Sequence, residues 1–434
     1  MTDTPIDPAD RAFLTGLFDA AVAAADPRTA LARALPKRPR GRTVVIGAGK
    51  GAAQMAAAFE DLWGDPVEGV VVTRYGYGAP CRHIRVIEAA HPVPDAAGLQ
   101  ASAALLAAVA GLGPDDLVVA LICGGGSALL PAPPAGLTLE DEAALNRALL
   151  RSGAPISAMN AIRKQASRIK GGRLAAAAHP ARVVSLVVSD VPGDDPAEVA
   201  SGPTVPSVTD RAHALRLVGA YRIDLPAALR RHLETAPEDA PHPGDAAFAR
   251  DEVRVIASSS LSLEAAAAAA KAAGIDAVIL SDAIEGEARD VGLVHAAIAA
   301  EVRLRARPFA PPVVILSGGE TTVTITGAGG KGGRNTEFLL SFARAIEGRG
   351  GASGAGQGSL VALAADTDGI DGSEDNAGAF ADGRTAARLR ARGLDPAALL
   401  AAHDAWSAFD ALGDLFVPGP TGTNVNDFRA ILIR

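Results

Sequence analysis

Residues 41–60 read GRTVVIGAGKGAAQMAAAFE, and the rest of the chain is parsed outward from them. An apolar run, Val44 to Ile46, meets Gly47, Gly49, Lys50 and Gly51, and an alanine-rich helical pattern follows. A strand that turns through glycines into a helix is the first half of a βαβ unit. Two specific templates fail here. The dinucleotide fingerprint G-x-G-x-x-G needs a third glycine where Ala52 stands. A Walker loop needs glycine in place of Val44, and Ser or Thr in place of Gly51. What stays is generic: Gly47, Gly49 and Gly51 let a helix start approach an anion, and Lys50 adds a positive charge.

The same alternation runs on along the chain. A helix over 8–25 precedes the first strand, and strands follow near 68–73, 84–88, 116–122 and 182–188, with helices at 95–110, 138–151 and 156–178. These strands are near-continuous Val/Ile/Leu runs, as expected for parallel strands covered on both faces. The stretch APEDAPHPGDAA, 236–247, reads as a linker. A second α/β block begins at the strand 252–257 and continues through strands 276–280, 312–316, 321–325, 360–365 and 428–433. The turn SGGE between 316 and 321 suggests a hairpin, and hence a mixed sheet. The glycine-rich run 348–359 reads as a flexible loop. The expectation is an α/β protein of two domains, 1–240 and 247–434. The first is a Rossmann-like sandwich with a mostly parallel sheet, the second an α/β domain with a mixed sheet, and the active site lies in the cleft between them.

Bulk properties narrow the function. At 434 residues the chain is too long for one ordinary core. With 49% hydrophobic and 21% charged residues it has a soluble globular profile, and its net charge of −8 disfavours nucleic acid or an anionic membrane as the main partner. Its start lacks a secretory signal pattern, and only Cys81 and Cys123 are present, so a cytoplasmic enzyme without a disulfide framework is expected.

Chemistry is expected beyond the carboxyl ends of the strands, where an open α/β sheet binds ligands. Strand 116–122 ends in CGGGSALLPAP, whose Gly124, Gly125, Gly126 and Ser127 offer backbone amides to a carboxylate or phosphate. It is no nucleophile elbow, because Leu129 stands where G-x-S-x-G needs glycine. Strand 182–188 ends in SDVPGDDPAEVASGPT, with Asp190 the residue best placed to orient or deprotonate a hydroxyl. His91, in HPVPD, reads as a structural histidine beside prolines. In the second block, GAGGKGGRNTEF surrounds Lys331 with glycines and sets Gly333, Arg334 and Asn335 at a helix start, a pattern suited to gathering cations around an anion. Asp366 and Asp368, in AADTDGIDG, offer hard oxygens to magnesium but do not make a calcium loop. Glycine-cation loops with carboxylates among them suit phosphoryl transfer, which needs positioned charge more than a covalent nucleophile.

Eight segments, GAGKGAAQM, HPVPD, CGGGSALLPAP, SDVPGDDPAEVASGPT, LSGGETTVT, GKGGRNTEF, TDGIDG and TGTNVNDF, occur in one order along the chain. Together they resemble the glycerate 2-kinase family, in which an N-terminal domain formerly of unknown function precedes a C-terminal MOFRL domain. The resemblance spans nearly the whole chain. It implies transfer of phosphoryl from ATP, with Mg²⁺, to the 2-hydroxyl of D-glycerate, and it implies that Lys50 and Arg334 are catalytic. A homodimer is the expectation for the assembly. Some family members carry a hydroxypyruvate reductase label, so an NAD(P)H-dependent reductase is the alternative. The incomplete fingerprint and the lack of an acidic ribose partner near Val70 to Thr73 argue against it.

Overall fold

The structure is a computed structural model that describes residues 5–325, 327, 329–347 and 359–434. The chain forms two compact units, one comprising Pro27–Ile256 and the other the residues up to Asp26 with Ala257–Arg434. Most of the glycine-rich run, 348–358, lies outside the described residues.

The first unit holds β1 (Thr43–Ala48), β2 (Glu68–Arg74), β3 (Ile84–Ala89), β4 (Leu117–Cys123), β5 (Arg182–Val188) and β6 (Glu252–Ala257), in the order β3-β2-β1-β4-β5-β6. The pairings among β1 to β5 are all parallel. Every residue of β1 and β4 is buried, so the unbroken apolar runs mark strands covered on both faces. The strand order reverses between β1 and β4, which makes that point the expected ligand crevice.

The second unit adds β7 (Asp276–Ile279), β8 (Ile284–Glu287), β9 (Val313–Thr322), β10 (Leu360–Asp366), β11 (Gly378–Asp382), β12 (Leu415–Phe416) and β13 (Asp427–Ile433). Their order is β12-β11-β10-β13-β9-β7, with β8 on the edge of β9. The sheet is mixed: β10 runs antiparallel to both β11 and β13, whereas β7 and β8 run parallel to β9. One face carries Phe338, Leu339 and Phe342, and the other carries Leu263, Phe416 and Phe428.

Four local expectations are corrected. Strand 252–257 does not open the second block; as β6 it joins the first sheet. The helix Pro8–Ala25 packs in the second unit, where Phe18 meets Phe416 and Phe428 edge-on at centroid distances of 5.0 and 5.8 Å. The hairpin at SGGE is one continuous strand, because Gly319, at φ +118°, accommodates the backbone of Ile284 instead of reversing the chain. The helix expected over 156–178 is two, Ile156–Gln165 and Arg173–Ala178, separated before Gly171 and Gly172, both at positive φ. No helix among the described residues is long and apolar enough to cross a membrane.

Candidate active site

The turn after β1 is shaped by its neighbour β4. A side chain at Gly47 would come within 2.6 Å of the Leu121 carbonyl, and one at Gly49 would overlap Cys123. Both glycines therefore serve the close approach of two strands, a sufficient reason for them without a dinucleotide. The Lys50 amide donates to the Gly124 carbonyl at 2.8 Å, and Thr73 Oγ1 donates to the Lys50 carbonyl at 2.9 Å. With its backbone held on both sides, Lys50 sends its side chain across Gly125.

Gly125, at φ +79°, has no room for a side chain either: a Cβ there would lie 2.9 Å from Lys50 Cγ, 3.1 Å from Lys50 Cε and 3.2 Å from His91 Nε2. A Cβ on Gly124 would overlap the carboxylate of Asp190. Three loops, after β1, β3 and β5, thus bring Lys50, His91 and Asp190 onto the glycines after β4. The His91 pKa is lowered by burial and by the charges of Lys50 and Arg74, so the neutral ring is favoured beside the ammonium. The Cys123 thiol is pushed up to about 12 by burial and the charge of Asp190, opposed by the Gly51 amide it accepts from, so it is a packing group and no nucleophile.

Of the residues singled out from the sequence, Lys50, Gly124, Gly125, Ser127 and Asp190 lie in or beside this cluster. Gly47 lies within the sheet, and Gly126 packs against Ala200, where a Cβ would approach the alanine Cβ to 2.5 Å. His91 is the member the sequence reading set aside. Its signal was its position directly after a parallel strand.

Behind Ser127 lies a buried polar chain. Ser127 Oγ is 2.7 Å from Ser201 Oγ, which is 3.0 Å from Asn160 Oδ1. Asn160 in turn donates to Glu198, which also pairs with Lys164 at 2.7 Å. Ala200, Ser201 and Gly202 are three consecutive left-handed residues (φ 53°, 60° and 58°), an unfavourable backbone that the packing of Ala200 and the bonds of Ser201 hold in place.

In the second unit the helix Arg334–Ile346 begins beside the ends of β9, β10 and β13. Each guanidinium nitrogen of Arg334 meets a different carboxylate: Nε with Asp427 and Nη2 with Asp366, both at 2.6 Å, and Nη1 with Glu320 at 3.1 Å. Burial opposes the arginine's charge, but Asp427, Asp366 and Glu320 outweigh it and hold the guanidinium ionised. Burial raises the Asp366 pKa despite Arg334. Asp371 caps the helix through the Asn335 and Thr336 amides at 2.9 and 2.8 Å, and its pKa is pushed up to about 6 by burial.

This cluster differs from the cation-rich loop expected, since several carboxyl groups surround one arginine. Gly333 is glycine because a Cβ would overlap Asp371. Asn335 is fully buried and turned inward, donating to Asp427 at 2.9 Å. Lys331 is engaged elsewhere, with Glu374 at 3.4 Å and over the Trp406 ring at 4.6 Å. Asp368 is half-buried; its amide donates to Asp366 Oδ1 at 3.0 Å, and its own Oδ1 accepts from Ile370 at 2.8 Å.

A family model described as a domain of unknown function, DUF4147, matches residues 13–234, and that of the MOFRL family matches 313–427. A glycerate 2-kinase from Pyrococcus horikoshii is 41% identical over 91% of this chain and 88% of its own length. This chain belongs to the glycerate kinase family. The crystal structure of a glycerate kinase from Thermotoga maritima superposes with a TM-score of 0.89 at 36% identity, covering 99% of this chain and all of that one. Another relative of this family member, from Agrobacterium vitis, is 54% identical over 98% of the chain and 95% of its own, and carries the provisional name hydroxypyruvate reductase.

Proposed function

We propose that the protein is a D-glycerate 2-kinase, which passes the terminal phosphoryl group of ATP to the 2-hydroxyl of D-glycerate and yields 2-phosphoglycerate and ADP. The observation that carries this reading is the convergence of Lys50, His91 and Asp190 on Gly124 and Gly125, at the switch point of a framework shared along its whole length with glycerate kinases. The acceptor oxygen forms a new bond to phosphorus as the bond to the bridging oxygen of ADP breaks. Asp190 takes the hydroxyl proton, and the Lys50 ammonium offsets charge on the phosphoryl oxygens. Arg334 contributes a guanidinium whose orientation its three carboxylates fix.

Magnesium fits the donor set. Both Asp366 oxygens already accept hydrogen bonds, whereas Asp368 is half-buried with one oxygen bonded to an amide. Among the described residues no group of three or more acidic, His or Cys side chains forms a metal cage. Magnesium commonly takes one or two carboxylates and completes its shell with phosphate oxygens and water. Asp368, with Asp366 beside it, would hold it, and the bound ion would neutralise charge on the β- and γ-phosphates.

The reductase reading draws on the strand order and on the provisional name of the Agrobacterium vitis relative. Against it stand Ala52, the packing role of Gly47 and Gly49, and the sequence Arg74-Tyr75 at the end of β2, where a ribose-binding acid would be needed. Purified protein with ATP, Mg²⁺ and D-glycerate should release ADP, and phosphorus NMR should show phosphate on the 2-oxygen. Hydroxypyruvate-dependent NAD(P)H oxidation without ADP release would overturn the reading. A cytoplasmic setting and a homodimeric assembly are part of the proposal, to be checked by cell fractionation and light scattering.

A further inference from the structure

The hydrogen-bond chain behind Ser127 has a fixed direction, and the direction follows from partners whose roles allow no choice. Arg163 Nη1 lies 3.0 Å from one terminal atom of the Asn160 amide, and an arginine can only donate, so that atom is the oxygen. The other terminal atom lies 2.8 Å from Glu198 Oε2 and 3.2 Å from the Glu198 carbonyl, acceptors both, so it is the nitrogen. Lys164 Nζ donates to Glu198 Oε1 at 2.7 Å and holds that carboxylate in place. Asn160 Oδ1 carries no proton. The contact of 3.0 Å between it and Ser201 Oγ is therefore made by the single hydroxyl proton of Ser201. Ser201 is fully buried and has no second proton to give, so the 2.7 Å contact between the two serines must use the proton of Ser127.

Ser127 thus spends its only donor inward. To a ligand at the adjoining glycine turn it can offer lone pairs alone. Lone pairs repel a carboxylate or phosphate oxygen and attract an O–H or N–H. We infer that Ser127 is a specificity residue that accepts a hydrogen bond from an alcohol hydroxyl of the three-carbon acid, and that it takes no part in holding phosphate or carboxylate. The inference rests on the D-glycerate reading above. It separates Ser127 from the backbone amides beside it, with which the sequence groups it as one anion cradle. It also accounts for the left-handed backbone of Ala200 and Ser201, which sets the Ser201 hydroxyl between Ser127 and Asn160.

Calorimetric titration of the full-length protein and of Ser127→Ala tests this, using D-glycerate, D-lactate, 3-hydroxypropionate and a non-hydrolysable ATP analogue with Mg²⁺. The two single-hydroxyl acids each lack one of the alcohols of D-glycerate. Ser127→Ala is expected to weaken D-glycerate about five- to tenfold, to weaken one single-hydroxyl acid equally, and to leave the other acid and the nucleotide within about twofold. Equal weakening of all three acids would mean a structural role and would overturn the assignment. So would weakened nucleotide binding with D-glycerate unchanged. A wild-type protein that binds the nucleotide but none of the acids removes the glycerate reading itself, and the assignment with it.

Discussion

Nε of Arg334 and Oδ1 of Asp427 are 2.6 Å apart, and the other oxygen of Asp427 is held by Arg429, a fully buried arginine. Asp427 is thus a buried carboxylate between two arginines, and it also accepts from Asn335 at 2.9 Å and from the Thr321 amide and hydroxyl, each at 3.2 Å. Replacing it by asparagine leaves Arg429 buried without its counter-charge and removes one of the three carboxylates that orient Arg334. Asp427→Asn is expected to lose about 3–5 kcal/mol of unfolding free energy and to lower kcat by about 10²-fold. Glu320→Gln, which removes the more exposed partner of Arg334, should cost under about 1 kcal/mol. Urea unfolding of both variants checks the contrast, and similar losses would contradict it.

Lys50 and Arg334 should separate in the same way. Each contributes a preorganised charge, so Lys50→Ala and Arg334→Ala are both expected to reduce kcat at least ~10²-fold, or about 3 kcal/mol. Only the second takes a cation away from buried carboxyl groups, Asp366 and Asp427. Melting temperatures should therefore stay near wild type for Lys50→Ala and drop for Arg334→Ala. An unchanged kcat removes the residue concerned from the mechanism.

Gly124 tests the placement of Asp190. A methyl group there would overlap the Asp190 carboxylate, so Gly124→Ala should destabilise the first unit by about 1–3 kcal/mol and reduce activity. In an Asp190→Ala background the same change should cost much less stability, because the obstacle is gone. The double-mutant cycle measures that coupling, and additive effects would show that the two residues do not touch.

His295 gives a pH prediction with a definite sign. It is buried, and its pKa is lowered from 6.5 to about 4 by burial, with Arg429 adding to the effect. Nδ1 donates to the Val291 carbonyl, so Nε2 accepts from Ser317, an arrangement only the neutral ring can make. A depressed folded-state pKa means the unfolded chain binds more protons between pH 6.5 and 4. The stability from this group is complete above pH 6.5 and is lost as pH falls, by about 3 kcal/mol at pH 4. Asp371, raised to about 6, runs in the opposite sense, since it favours the folded state as pH falls below 6. The difference between wild type and His295→Gln isolates the histidine. It should shrink from neutral pH toward pH 4, and a difference independent of pH would mean that His295 is not buried neutral.

The sequence by itself determined the α/β class, the two sheets and the strand ends at which chemistry gathers. Those features are local: apolar runs long enough for buried strands, followed at once by glycine, aspartate and a lysine. Lys50 was legible because its loop is contiguous with its strand. Tertiary structure alone decided what depends on distant partners. The glycines of SGGE look like a turn until β8 is seen to pair along β9, and the helix Pro8–Ala25 belongs with strands more than three hundred residues away because its apolar face fits Phe416 and Phe428. His91 was a histidine beside prolines until Gly125 brought Lys50 next to it. Arg334 was one cation in a glycine loop until β9, β10 and β13 surrounded it with carboxylates. Ser127 kept an undecided proton until Arg163 and Glu198 fixed the Asn160 amide behind it. Hydrogen-bond direction and charge balance are properties of assembled neighbours, and a linear spacing of residues does not carry them.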